Sequence, residues 1–293
     1  MTLDAPTHLA RPSKPALKLP PGACDAHVHV FGPRARFPYE PGRATTPSDA
    51  PKETLFALHD FLGFERCVIV HTAAHGFDNR ATAEALSAKG GSYRGVALVP
   101  TAISDTDLKT LDATGFRGAH FHYMRHLKQA ASIEDVVAFG GRLAAIGWHL
   151  QIHMEAELIA ELSAALHRSA VPIVIDHMGR VDASLGLNHP HFTALLRLLD
   201  DRNVWVKVSG ADRITRQGPP YADAVPFARR LLDVAGDRAV WGLDWPHPNH
   251  QGPIPDDGAL VDLIPEIAPD AHARQMLLVD NPQRLYRFGP AKE

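Results

Sequence analysis

The chain has 293 residues, of which 45% are hydrophobic and 22% are charged, and its formal net charge is -3. These values are typical of a folded globular protein and exclude a disordered chain. The small negative charge argues against a protein that binds nucleic acid or a membrane surface. No run of eighteen apolar residues occurs, so a membrane span is not expected.

Residues 1–21 predict a flexible N-terminal arm. Five prolines in this stretch exclude regular secondary structure, and no apolar segment of a secretory signal is present. Cys24 and Cys67 lie in apolar strand-like runs and are expected to be buried free thiols. A reducing, cytoplasmic location is therefore the default expectation.

From residue 22 onward, short apolar strands alternate with helical segments. Predicted strands cover 23–30, 66–71, 95–99, 118–123, 148–153, 172–177, 204–209 and 239–244. Predicted helices cover 52–62, 79–88, 105–112, 133–146, 156–168, 190–200 and 222–235, with closing helices behind them. This alternation predicts a parallel sheet with right-handed crossovers, and eight units of this length fit one (β/α)8 TIM-type barrel over 22–288, which could be distorted. Residues 289–293 would form a tail.

A doubly wound α/β sheet is the competing fold. It is disfavoured because no Gly-x-Gly-x-x-Gly follows the first predicted strand.

The first predicted strand carries a His-x-His pair, His27 and His29. Alternate side chains of a strand point to the same side, so both imidazoles can close on one metal ion. The plainer interpretation is two ordinary histidines on a half-buried strand, and the pair alone does not decide between them.

Polar or ionisable residues end most of the predicted strands, where a (β/α)8 barrel carries its chemistry. They are His27, His29, His71, His120, His122, His153, Asp176, His177, Lys207, Ser209 and Asp244. The best ligand set for a divalent metal is His27, His29, His153 and His177, with Asp244 as fifth ligand, general base or both. Zinc is the expected ion and manganese the alternative.

Four motifs together resemble the amidohydrolase superfamily, in its amidohydrolase 2 branch. They are Asp25-Ala-His-Val-His29, Asp176-His-Met-Gly179, Trp241-Gly-Leu-Asp-Trp-Pro-His-Pro248 and Asn281-Pro-Gln-Arg-Leu-Tyr-Arg-Phe288. The segments 30–39 and 207–213 look closest to the pyrone-dicarboxylate lactonases of that branch. The resemblance implies an active site at His27, His29, His177 and Asp244, with Arg213 holding a substrate carboxylate.

The sequence also departs from those lactonases, which are understood to work without a metal. Their two carboxylate-binding arginines are matched here by His120 and His126, and a tyrosine is matched by His153. A serine and a second tyrosine are matched by Ala73 and Thr45. Fewer anion-binding groups and one more metal ligand predict a metal-dependent relative with a different, less carboxylated lactone.

The expected function is a metal-dependent hydrolase that opens a small anionic lactone of muconolactone, sulfomuconolactone or pyrone-carboxylate type, in the catabolism of aromatic compounds. Asp244 and His177 are the predicted catalytic residues, and metal-activated water is the predicted nucleophile. The predicted substrate-binding residues are Arg213, Ser209, His120, His122, Arg125, His126 and His247.

Three alternatives stay open at this point. They are a metal-free pyrone-dicarboxylate lactonase, a metal-dependent decarboxylase on the same scaffold and a barrel that only binds a ligand. Nucleic acid and membranes are not expected as partners, and the sequence leaves a homo-oligomer open.

Overall fold

The computed structural model describes residues 6–127 and 131–289. Eight parallel strands form one sheet, ordered along the chain from β1 to β8. The strands are β1 Cys24–Val28, β2 Arg66–Val70, β3 Tyr93–Ala97, β4 Phe116–Tyr123, β5 His149–Met154, β6 Ile173–Ile175, β7 Val204–Lys207 and β8 Ala239–Val240. The predicted (β/α)8 barrel is confirmed. The largest difference is that β8 ends four residues earlier than predicted, and β3 begins and ends two residues earlier.

Helices separate the strands. Those in the described residues are α1 Lys52–Leu62, α2 Arg80–Ala88, α3 Asp105–Thr114, α4 Ile133–Ala144, α5 Ile159–Leu166, α6 Pro190–Leu198, α7 Ala211–Ile214, α8 Val225–Ala235, α9 Asp257–Asp262, α10 Ile264–Ile267, α11 Ala271–Gln275 and α12 Asn281–Tyr286. In this part of the chain, no helix is long and apolar enough to cross a bilayer.

The elements form because their apolar patterns suit burial. All five residues of β2 are buried, as expected for a parallel strand covered on both faces. Helix α4 turns Ile133, Val136 and Leu143 inward, and the Ser132 hydroxyl caps its start by accepting the Asp135 backbone N–H. Each such aliphatic side chain contributes roughly 1.5–3 kcal/mol on burial, so a charge at Val136 would break this contact.

The barrel is nearly closed, and its last side is made by the segment after β8. The Ala26 N–H donates to the Trp241 carbonyl at 2.8 Å, and the His29 N–H donates to the Trp245 carbonyl at 2.7 Å. Asp244 in turn donates its N–H to the His27 carbonyl at 2.7 Å. The absence of a side chain at Gly242 permits this approach, because a Cβ there would lie 2.4 Å from the backbone nitrogen of His27. The closure therefore sets Asp244 beside the His-x-His pair.

The N-terminal arm has no regular secondary structure over residues 6–21, but it contacts the barrel. The Ser13 N–H donates to Asp256 Oδ1 at 2.9 Å, and the Leu17 N–H donates to Asp262 Oδ1 at 2.9 Å. The His8 ring lies 5.0 Å from the Trp245 ring. These contacts attach the arm to the segment beyond β8. The flexibility of the arm stays a prediction.

Candidate active site

The strand ends bring together two sets of side chains that could each hold a metal ion. The aspartate group consists of His27, His177 and Asp244, and the three-histidine group consists of His120, His122 and His153. Within each set the donor atoms lie within 4.8 Å of one another. The sequence predicts one metal site, whereas the structure has two adjacent sets of donors.

Asp244 is the most heavily contacted residue of the aspartate group. Arg213 donates to its Oδ2 from Nε at 2.9 Å and from Nη2 at 2.7 Å, and His29 Nε2 lies 3.0 Å from Oδ1. Burial would raise the pKa of Asp244, but Arg213 and the surrounding histidines hold that pKa well below its usual value. Asp244 is therefore an ionised carboxylate inside the protein. Its φ of +64° is a strained value that aspartate tolerates better than most residues.

His29 bridges the end of β2 and Asp244. His29 Nδ1 donates to the Val70 carbonyl at 2.8 Å, since a carbonyl can only accept. Its other ring nitrogen, Nε2, lies 3.0 Å from Asp244 Oδ1. The two contacts fix the His29 ring against the carboxylate at the edge of the site.

His177 is held in its neutral form. Its Nδ1 lies 3.0 Å from the Ser209 hydroxyl, and its Nε2 lies 3.7 Å from Asp244 Oδ2. Burial lowers the pKa of His177 to about 4, so the ring is uncharged at neutral pH. Gly210, with a φ of +76°, allows the chain after β7 to pass here, because a Cβ would lie 2.8 Å from the His177 Cβ.

His27 is oriented from beneath by a buried ion pair. Its Nδ1 lies 3.4 Å from Asp176 Oδ1 and 3.1 Å from Lys207 Nζ, and its Nε2 lies 3.7 Å from Asp244 Oδ1. Lys207 also donates to the Gln151 side-chain carbonyl at 2.9 Å. Burial and the charge of Lys207 hold the pKa of His27 well below its usual value. His27 is thus neutral and fixed in place.

The three-histidine group lies on β4 and β5. His122 and His153 are partners in the parallel register, and the His120 and His122 ring centroids are 4.2 Å apart. His120 Nε2 lies 2.9 Å from Asp176 Oδ2, so one carboxylate contacts both groups. Burial lowers the pKa values of His122 and His153 well below the usual range, which leaves both rings neutral.

The arrangement agrees with a known protein family. The family model described as amidohydrolase matches residues 24–288. This chain belongs to the amidohydrolase family.

Among similar proteins, a 2-pyrone-4,6-dicarboxylate hydrolase from Comamonas testosteroni is 46% identical over 286 residues, which are 94% of each chain. A 4-sulfomuconolactone hydrolase from Rhizobium radiobacter is 39% identical over 280 residues, again 94% of each chain. The structure of a probable 2-pyrone-4,6-dicarboxylic acid hydrolase from Acinetobacter baumannii with citric acid bound matches with a TM-score of 0.80 at 25% identity. It covers 91% of this chain and 100% of its own. The chain is a lactonase-type hydrolase of the amidohydrolase family.

The structure brings several of the predicted site residues of this amidohydrolase together. His27, His29, His177, Asp244 and Ser209 meet at one side of the barrel end.

His153 was predicted to join the same metal ligands. Its donor atoms group instead with His120 and His122, although its ring centroid is only 5.5 Å from that of His177. Arg213, predicted to hold a substrate carboxylate, pairs with Asp244.

Three other predicted substrate-binding residues lie outside both groups. Arg125 is exposed and forms an ion pair with Glu157, and His126 is exposed. His247 is buried, with its Nε2 3.0 Å from Asp257 Oδ1, and that carboxylate raises its pKa against the effect of burial. The structure gives His247 a supporting position behind the site.

Sequence reasoning did not assign site roles to Asp176, Lys207, Gln151 or Arg180. A lysine within the apolar run Val204-Trp-Val-Lys207 is a signal for the buried ion pair, since lysine is almost never buried without a partner. Arg180 is half-buried at a φ of +55° and has no ion pair or hydrogen bond with the described residues. Burial is the main cause of the low pKa of His177, and the charges of Arg213 and Arg180 add to it. Arg180 therefore lies near the site, and its guanidinium has no ion pair or hydrogen bond within residues 6–127 and 131–289.

Proposed function

We propose that this amidohydrolase opens a small anionic lactone by hydrolysis, with a pyrone-carboxylate, muconolactone or sulfomuconolactone as substrate class. The relatives named for 2-pyrone-4,6-dicarboxylate and 4-sulfomuconolactone hydrolysis support this class. The observation that carries the proposal is Asp244, an ionised buried carboxylate that contacts His29 at 3.0 Å and Arg213 at 2.7 Å. Such a carboxylate can take a proton from water and return it to a leaving group.

The reaction needs one water molecule and two proton movements. Water attacks the lactone carbonyl carbon while Asp244 accepts its proton, giving a tetrahedral intermediate. The bond from that carbon to the ring oxygen then breaks, and the proton that Asp244 took from water passes to the ring oxygen. The product is an open hydroxy acid. The neutral His177 ring is held by Ser209, with its Nε2 facing Asp244.

Two arginines suit the anionic part of the substrate. Arg180 has no anionic partner in the described residues, so its guanidinium can receive a carboxylate or sulfonate through two parallel hydrogen bonds. Arg213 is fixed by Asp244 and serves mainly to keep that carboxylate ionised. The relative with citric acid bound is consistent with a carboxylate-binding pocket in this family.

The aspartate group also fits a divalent metal ion such as zinc or manganese. Two imidazole nitrogens lie 3.7 Å from the Asp244 oxygens, near the roughly 3.4 Å that separates neighbouring ligands of tetrahedral zinc. His27, His177 and Asp244 would hold the ion, with His29 adjacent. When bound, it would polarise the lactone carbonyl and acidify a water molecule.

A lactone panel tests the proposal. Pyrone, muconolactone and aldonolactone substrates are assayed with the protein as purified, after chelation, and after Zn²⁺ or Mn²⁺ is restored. We expect one proton released per lactone opened, the highest kcat/KM with a carboxylated or sulfonated unsaturated lactone, and loss of activity on chelation that added metal reverses.

The controls separate the alternatives. Activity that survives chelation would make the enzyme metal-independent. Release of carbon dioxide without an open hydroxy acid would make it a decarboxylase. Failure to open any lactone in every metal state would refute the proposed function.

A further inference from the structure

We propose that His120, His122 and His153 form a metal site of their own, which takes one divalent first-row cation such as Zn²⁺ through three imidazole nitrogens. This site is separate from the aspartate group. It rests on strand register and ring orientation, and it holds whether or not the protein opens lactones.

The strand framework fixes the spacing of the three rings. His120 and His122 are two residues apart on β4, so their side chains leave the same side of the strand. His122 and His153 are direct register partners on β4 and β5, and the donor atoms of all three lie within 4.8 Å of one another. A site built on two adjacent strands is held more precisely than one built on loops.

Asp176 decides which nitrogen of His120 is available. Asp176 Oδ2 lies 2.9 Å from His120 Nε2, and Lys207 lies 3.5 Å from Oδ1 of the same carboxylate. A carboxylate beside an ammonium group only accepts, so His120 Nε2 carries the proton. His120 Nδ1, which has no partner among the described residues, is then the nitrogen available to a cation, as in the carboxylate–histidine–metal arrangement of zinc proteins.

The remaining ring nitrogens point to a cation. Within residues 6–127 and 131–289, His120 Nδ1, both nitrogens of His122 and His153 Nε2 are buried without a hydrogen-bond partner. Buried polar atoms of this kind are destabilising unless they are satisfied, and one cation would satisfy a nitrogen of each ring. Three histidines leave a fourth position open, as catalytic zinc sites do.

Metal retention in the D244N variant provides the test, because that substitution removes a ligand of the aspartate group. The full-length protein is equilibrated with Co²⁺ or Zn²⁺, freed of excess ion by gel filtration, and analysed for metal per chain. We expect D244N to retain one equivalent and its Co²⁺ form to show the visible absorption of a tetrahedral site with nitrogen ligands.

Further substitutions assign that equivalent to the three rings. Adding H122Q or H153Q to D244N should remove the retained metal and the absorption, and H272Q, which changes an exposed histidine on α11, should leave both unchanged. Unfolding temperatures measured without metal show whether each variant is folded. The temperature rise that Zn²⁺ gives D244N should disappear with H122Q.

Three results would overturn the site. The first is that D244N retains no Co²⁺ or Zn²⁺, a result that does not depend on whether the double variants fold. H122Q and H153Q could both keep the full equivalent. The third is that citrate raises the unfolding temperature, that neither metal ion does so, and that H122Q abolishes the effect of citrate. The three rings would then form an anion site. Because none of these readouts is an activity, failure here is distinct from failure to open lactones.

Discussion

The aspartate group and the three-histidine group lie side by side at the same barrel end, yet their surroundings differ. Both carboxylate oxygens of Asp244 have partners, and Arg213 supplies a full positive charge. Around His122, the buried ring nitrogens lack partners among the described residues. A fixed, ionised carboxylate favours acid–base chemistry, whereas unpaired neutral imidazoles favour a metal ion. Histidine count alone does not distinguish the two.

The largest effect that can test this contrast is expected at Asp244. Asp244→Asn keeps the shape but removes the proton acceptor, so kcat should fall by at least ~10³-fold while KM changes by less than ~3-fold. Steady-state kinetics with the preferred lactone measure both. Asp201→Asn is the control, because Asp201 lies just after α6 and contacts His167 rather than a residue of the site. If substrate binding is lost instead, Asp244 mainly holds the site together.

Arg213 tests whether the charge beside Asp244 matters. Its positive charge lowers the pKa of Asp244, so Arg213→Gln should raise that pKa. The acidic limb of the kcat/KM profile should then move to higher pH by about one unit or more, with activity lost more strongly at pH 5 than at pH 8. Arg216→Gln, which breaks an exposed ion pair with Asp182, is the matched control. An unmoved or lowered limb would contradict the role given to Arg213.

Arg180 tests whether the substrate anion binds beside the aspartate group. Arg180→Met should raise KM for a carboxylated lactone roughly 10-fold or more, since a charged hydrogen bond is worth about 1.5–3 kcal/mol. The kcat should change little, and KM for an uncharged lactone should stay the same. Arg125→Met is the control, because Arg125 pairs with Glu157 at the surface. Equal loss with charged and uncharged lactones would point to a structural role.

His149 provides a buried histidine that belongs to neither group. Burial lowers its pKa to about 3, so the unfolded chain takes up a proton below pH 6.5 that the folded protein refuses. Stability is therefore lost as pH falls from 6.5 toward 3, with a slope of up to about 1.4 kcal/mol per pH unit from this residue. The free energy of unfolding is measured by urea denaturation at a series of pH values. His149→Met should make its dependence on pH shallower by that amount and leave kcat unchanged. An unchanged slope would show that His149 titrates normally.

The fold could be predicted almost completely from the sequence, because strand burial and β–α alternation are local patterns. The run Arg66-Cys-Val-Ile-Val70 predicts β2 to within one residue. The segment after β8 could not be predicted to close the barrel, since β8 is only two residues long and the closure depends on backbone contacts between 26–29 and 241–245.

The site was predictable as a set of residues but not as two groups. His27, His177 and Asp244 follow from their positions at strand ends. The assignment of His153 depends on the β4–β5 register, which pairs it with His122 and which the linear sequence does not contain. The sequence does not show that Arg213 pairs with a carboxylate while Arg180 has no such partner among the described residues. Each arginine follows a polar strand end by three or four residues.

The closure of the barrel also constrains how this enzyme is made. His27 and His29 are synthesised about 215 residues before Asp244 and the carbonyl of Trp245, which complete their surroundings. Until then the outer edge of β1 has unpaired backbone groups, and the nascent chain holds histidines without their acid–base partner. Catalytic competence therefore depends on the closing segment, and shortened chains that end before residue 244 lack the carboxylate that the reaction needs.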